Sequence, residues 1–168
     1  MGAAREARRG PVKGSQFPDS SAWDRTGFLL WHAVLEWRRK VTEGLAEVGL
    51  THVQFVLLAS TMWLAHRGEA PSQVELANHA GVDPMMTSQV VRSLERTKLV
   101  RRIADKEDAR VRRIVVTASG ERKVLAAVKI VERMDREAFG EIDDVDTFRE
   151  VLRTIARRDE NGNRWDGQ

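Results

Sequence analysis

One stretch constrains the fold more than any other: SQVELANHAGVDPMMTSQVVRSLERTKLVRRIADKEDARVRRIVVT, Ser72 to Thr117. It reads as helix, tight turn, second helix, strand, charged loop, strand. Ser72 with Glu75 three residues on is a capping box, in which each side chain satisfies a backbone N–H at a helix start. Ala77 is small enough for a second helix to cross closely. Gly81 can take the left-handed conformation that ends a helix, and Val82 can plug the turn. Asp83 caps the next helix, with Pro84 at its first position, where a missing N–H costs nothing. Beyond it, Met86, Val90, Val91 and Leu94 form an apolar stripe, and Met85, Ser88, Gln89, Arg92 and Arg96 lie opposite. An apolar back with a front of Ser, Gln and Arg suits a helix lying in the major groove of duplex DNA.

Two short segments rich in β-branched residues follow, Leu99–Ala104 and Val111–Val116, with arginines interspersed. Between them DKEDAR, Asp105 to Arg110, is too polar for a core, so the expected element is a β-hairpin wing. From Pro84 to Arg113 nine Arg and Lys face four Asp and Glu, a net charge of +5, whereas the whole chain carries only +3. Positive charge is therefore concentrated where phosphate would be met, and the remainder is net negative.

These residues resemble the MarR family of bacterial regulators. The family's wing pattern, Asp-x-Arg followed by a strand and a Leu-Thr-x-x-Gly helix start, stands here as Asp108-Ala109-Arg110, Val111–Val116 and Thr117-Ala118-Ser119-Gly120. Val116 replaces the usual Leu, and Ala109 replaces a frequently basic residue. The resemblance spans roughly residues 24–158, because the order of flanking helices also matches. It implies a homodimer whose terminal helices interdigitate, a role in transcription most often as a repressor, and in many members a small aromatic anion as effector.

The flanks divide accordingly. Residues 1–22 hold Gly, Pro, Arg and Lys without a sustained period, and are expected to form a mobile basic arm, either adding phosphate contacts or simply untethered. A single domain is expected over 23–159. Asp24 to Glu47 reads as a long helix whose apolar surface (Phe28, Leu29, Trp31, Val34, Leu35, Trp37) is broader than one monomer face needs. Thr51 and Gln54 form a second capping box ahead of an almost wholly apolar helix to Ala65. Thr117 caps a helix to about Phe139, and Asp144 begins a last amphipathic helix to about Arg158. The expected architecture is mostly α (α+β): a winged helix-turn-helix lobe over 51–117, and dimerisation helices over 24–48 and 118–158. Residues 160–168 form a polar tail.

Site expectations follow from this placement. Arg92 suits a bidentate contact to guanine and Gln89 one to adenine; Thr87 and Ser88 suit phosphate or a thymine methyl, and Met85 a base or the wing. The plainer reading of Arg92 is an i,i+3 pair with Glu95. Arg110, oriented by Asp108, is the expected minor-groove residue, with Lys106 and Arg112 on phosphate. Ser72 and Arg96 complete the expected DNA-contacting set. Trp31, His32, Trp63 and His66 are expected to line an effector cleft, or else to be ordinary core and hydrogen-bonded residues. No cofactor is expected. His32, His52, His66 and His79 lack close pair spacing and there is no Cys, so no metal site, disulfide or thiol switch is expected. The usual nucleophile, phosphate-loop and zinc-protease motifs are missing, which argues against an enzyme. No apolar run reaches membrane-spanning length, and the expected location is cytoplasmic. Two alternatives stay open: a non-specific architectural DNA binder, and a winged-helix module that binds protein.

Overall fold

The computed structural model describes residues 23–108 and 110–159. The N-terminal arm, the polar tail and Ala109 lie outside them. Six helices and one hairpin follow in order: α1 Thr26–Ala46, α2 His52–Arg67, α3 Gln73–Ala80, α4 Pro84–Arg96, β1 Val100–Ala104, β2 Arg112–Val116, α5 Ala118–Phe139 and α6 Val145–Ala156. Among the described residues no helix is long and apolar enough to cross a membrane.

The helix boundaries are set by local chemistry. At α2, Gln54 N–H donates to Thr51 Oγ1 (3.2 Å) and Thr51 N–H to Gln54 Oε1 (2.9 Å). Ser72 and Glu75 repeat the exchange at α3 (3.3 and 2.7 Å). Gly81 ends α3 with φ +65°, where an L side chain would be strained. Asp83 Oδ1 accepts from the Met85 and Met86 amides (2.8 and 3.1 Å), starting α4. Each cap is worth about 1 kcal/mol, and together they fix where the chain turns.

Among the described residues the chain divides into two compact units, 23–35 and 36–159. In the first, Trp23 packs edge-on to Phe28 and Phe28 stacks toward His32, both at 4.7 Å between centroids. Leu29, Trp31, Val34 and Leu35 are exposed, Trp31 by 60%.

In the second unit, one core gathers Val41 and Leu45 from α1, Leu57, Leu58 and Thr61 from α2, Leu76 from α3, Val91 and Leu94 from α4, Val100 and Ile114 from the hairpin, and Val124, Ala127 and Ile130 from α5. The end of α1 crosses α5 closely: a Cβ on Gly44 would stand 2.7 Å from Ile130 Cγ2. Trp37 Nε1 donates to Asp135 (2.8 Å) and Lys123 Nζ to the Val48 carbonyl (2.7 Å) along the same seam. The hairpin is antiparallel, Val100 opposite Val116 and Ala104 opposite Arg112. It is tied to the helix-turn-helix by Ile114 N–H to the Pro71 carbonyl (2.8 Å) and by a bridge between Ser72 and Arg113.

Two expectations are corrected. The buried stripe of α4 is Thr87, Val91 and Leu94, and Met86 is half exposed. Thr87 is wholly buried, its hydroxyl reaching the Val82 carbonyl (3.4 Å), so it faces the core and not a DNA contact. A Thr is tolerated inside because a carbonyl lies within reach of its single donor. The basic pair Arg157-Arg158 closes α6. Arg157 takes the left-handed cap (φ 49°), and Arg158 Nη1 donates to the His79 carbonyl at the end of α3 (3.0 Å).

Candidate nucleic-acid interface

The outer face of α4 carries Met85, Gln89, Arg92 and Arg96, all exposed, with Ser88 half buried between them. Pro84 at the first helical position and the Asp83 cap bring Met85 to the helix N-terminus, 73% exposed. Arg92 Nη2 donates to Ser88 Oγ one turn earlier (3.0 Å). The expected Arg92–Glu95 pair is not what the fold adopts, because Glu95 is held by Arg102 from β1 (3.1 Å). That arrangement removes the nearest acid from Arg92 and leaves its guanidinium on the solvent side with a weak, easily exchanged hydroxyl partner.

The wing loop is built by carboxylates accepting backbone N–H groups. Asp105 Oδ1 accepts from Glu107 and Asp108 (2.8 and 2.9 Å), and Asp108 Oδ1 accepts from the Arg110 amide (2.9 Å). Arg110 Nε stands 3.7 Å from that same Asp108 oxygen, and its side chain is 94% exposed. Lys106 and Arg112 are exposed on the hairpin. Ser72 caps α3, its oxygen accepting the Glu75 amide, which leaves its hydroxyl hydrogen to donate. Of the expected set, then, α4 groups Met85, Ser88, Gln89, Arg92 and Arg96 on one face, and the hairpin presents Lys106, Asp108, Arg110 and Arg112.

Charge counting missed two internal pairings: Arg102 with Glu95, and Arg113 with Asp105 and Glu75. The fold brings these partners together across separate elements. The backbone amides of Asp108 and Glu107 and the Arg113 guanidinium hold the Asp105 carboxyl down at about 2.

The four residues expected around an effector are distributed over both units. Trp31 and His32 are exposed in the first. In the second, Trp63 is half exposed with the Arg67 guanidinium 5.4 Å from its ring centre, and His66 is exposed near the end of α2. Among the described residues, no group of three or more His, Asp or Glu is placed to hold a metal ion.

His79, half buried at the end of α3, is held below its ordinary value by burial and by the Arg158 charge; His52 is lowered by burial and by Arg38. A depressed histidine favours the folded state while neutral, and the unfolded chain protonates first as pH falls. Thermal stability is therefore expected to be full above the ordinary histidine value of 6.5 and to decline below it. Melting at pH 7.5 and 5.5 checks this: the His52→Gln/His79→Gln double variant should lose less on acidification than the parent, and an equal loss would assign the decline to other groups.

A helix-turn-helix whose second helix shows a Gln/Arg front, followed by a hairpin with an exposed tip arginine, defines a winged helix-turn-helix DNA-binding protein. The chain belongs to the MarR family and is a transcriptional regulator: the family profile matches residues 50–111, and the HTH-type transcriptional regulator YdcH of Bacillus subtilis, itself uncharacterized, is 39% identical over 133 residues, covering 79% of this chain and 90% of that one. The HTH-type transcriptional repressor Rv2887 of Mycobacterium tuberculosis is 29% identical over 69% of this chain and 81% of its own length. Among solved structures, CouR of Rhodococcus jostii bound to p-coumaroyl-CoA superposes with a TM-score of 0.73 at 28% identity, over 82% of this chain and 96% of that one. CouR bound to a 23-mer DNA duplex gives 0.72 at 25% identity, over 85% and 100%.

Proposed function

We propose that this chain is a repressor that binds a pseudo-palindromic duplex as a homodimer and reads sequence through α4, without catalysing a reaction. The observation that carries the reading is the α4 front: Gln89 and Arg92 are exposed on a rigid, capped helix, and Arg92 is relieved of its acidic neighbour by the Glu95–Arg102 pair. Gln and Arg are the residues whose paired donors match adenine and guanine edges. Met85, Ser88 and Arg96 flank them, Lys106 and Arg112 meet phosphate, and Arg110, held beside Asp108, enters the minor groove.

The dimer is supported by apolar surface on the terminal helices. Leu29 and Trp31 of α1, Leu125 of α5, and Val151 and Ile155 of α6 are all exposed in the single chain, more than a soluble monomer usually shows on its end helices. One reading helix contacts few base pairs; two at fixed spacing read a two-fold site and gain by effective concentration. In this division 51–117 is the reading lobe, and 24–48 and 118–158 hold the dimer. A small aromatic anion is proposed as effector. Within the second unit Trp63 and His66 are its candidate contacts, and the Trp63–Arg67 pair supplies an aromatic face with a cation beside it.

The test is enrichment of a duplex from a random-sequence pool, then anisotropy titration of that duplex and a scrambled one at several salt concentrations. A two-fold-symmetric consensus, bound at least about a hundredfold tighter than the scrambled control, is expected. Equal, steeply salt-dependent binding to both would replace the reading with a non-specific architectural protein. No binding at low salt would replace it with a protein-interaction module. On the enriched duplex, Arg110→Ala should weaken binding by about 1–3 kcal/mol with little change in base preference along the α4 contacts.

A further inference from the structure

Arg113 lies in the most basic segment of the chain, yet its charge faces inward. Its side chain is only 22% exposed, and three carboxylates surround it: Asp105 against Nε, Glu75 at 2.9 Å from Nη1 and Glu69 at 3.8 Å from Nη2. Nη1 also donates to the Ala70 carbonyl (3.3 Å). An arginine meant for phosphate would not be matched by three acids, since the excess negative charge repels the duplex.

The partners on either side of Arg113 form a continuous path. Glu75, which holds Nη1, also accepts the Ser72 amide at the start of α3 (2.7 Å). On the other side Asp105, itself only 8% exposed, accepts the Glu107 and Asp108 amides, and Asp108 accepts the Arg110 amide. From the α3 cap to the wing-tip arginine every link is a hydrogen bond or ion pair, and most are charge-assisted, hence short and directional.

We propose that Arg113 and Asp105 are positioning residues that fix the wing, and with it Arg110, at a set angle to the helix-turn-helix. The proposal rests on the reading above, in which Arg110 enters the minor groove. A guanidinium already held in place surrenders less freedom on binding than one on a loose hairpin. The Asp105 carboxyl, held far down, stays ionised across the whole working range, so the tie does not slacken with ordinary changes of pH.

The consequence has an unusual sign. Removing an acid from a DNA-facing element ordinarily tightens binding, because less negative charge meets the phosphates. Here Asp105→Asn should weaken it. With the full chain and its enriched duplex followed by anisotropy, Asp105→Asn and Arg113→Gln are each expected to lower affinity about tenfold, the scale of one lost oriented groove contact. In an Arg110→Ala background each should cost less than about twofold, because coupled residues do not add. Arg113→Lys, which keeps the charge but not the planar fork, should behave like Arg113→Gln.

Unchanged or tighter binding by Asp105→Asn would overturn the proposal and make Arg113 a screened phosphate contact. Fully additive losses with Arg110→Ala would overturn it in favour of general destabilisation, and melting of each free variant gives that loss directly. If Arg110→Ala alone has no effect, the minor-groove reading fails and this proposal with it. If Arg110→Ala weakens binding but Asp105→Asn does not, the positioning role alone fails.

Discussion

Gly120→Ala is expected to destabilise the protein by about 3 kcal/mol, although Gly→Ala inside a helix normally stabilises it by about 1 kcal/mol. The sign is reversed by what surrounds the site. A Cβ built on Gly120 would stand 2.1 Å from the Leu99 carbonyl oxygen and 2.9 Å from Val116 Cγ1. Neither neighbour is free to give way. The Leu99 oxygen accepts from both the Thr117 amide (3.0 Å) and the Thr117 hydroxyl (3.2 Å), and Leu99 leads directly into β1. The same threonine caps α5 by accepting the Gly120 amide (3.0 Å). Hairpin and α5 thus meet at one backbone-to-backbone contact that leaves no room for a methyl group. For a chain of 168 residues a loss of this size lowers the melting temperature by roughly 6–12 °C. Ser119→Ala, one residue earlier and exposed, is the control and should shift melting by less than about 0.5 kcal/mol. If Gly120→Ala melts with the parent, the close approach of α5 to Leu99 is wrong.

That contact also explains a spacing visible in the sequence. Thr117 and Gly120 stand three apart because the cap and the bare α-carbon serve the same turn. Signals of this kind were legible wherever cause and effect lie within a few residues: the capping boxes at Thr51 and Ser72, the left-handed Gly81, the Asp83–Pro84 start, and the β-branched hairpin strands. Legibility ended where the deciding partner is far away. On α4 the stripe read from residue type runs Met86, Val90, Val91 and Leu94; Val91 and Leu94 are buried, but Thr87 takes the place of Met86, its hydroxyl within reach of the Val82 carbonyl across the turn. Arg113 counts as one more positive charge in a basic segment until Glu75, on another element, is seen beside it. Arg158 likewise meets its carbonyl partner at the end of α3, far away in sequence. A one-dimensional count of charge therefore overstated the face available to DNA: Arg102 and Arg113 are both turned to acids of the same chain, leaving Arg92, Arg96, Arg101, Lys106, Arg110 and Arg112 among its exposed cations.

Arg92→Ala is expected to lower affinity for the enriched duplex by about 1–3 kcal/mol and to relax base choice at one position in each half-site. Affinity for a scrambled duplex should fall much less, so the measurable quantity is the ratio of the two. Arg92 sits in the third turn of α4, one turn on from Ser88, and its partner on that helix face is the Ser88 hydroxyl, a neutral group at 3.0 Å. Exchanging that bond for two bonds to a guanine edge gains charge-assisted contacts at little cost. Truncation to Ala leaves the helix itself intact: Arg92 is exposed, and Ala is at least as good a helix former. A change confined to the bound state should therefore leave the melting temperature of the free protein within a degree or two of the parent's, about 0.5 kcal/mol. Ser88→Ala separates positioning from contact. If Ser88 only steadies Arg92, its loss should cost a fraction of the Arg92→Ala effect and nothing further in the double variant. An unchanged ratio of matched to scrambled binding in Arg92→Ala would mean that α4 meets the groove through another face. The neighbours on that helix then decide the register: a loss of discrimination in Gln89→Ala would rotate the reading edge toward the helix start, and one in Arg96→Ala toward its end.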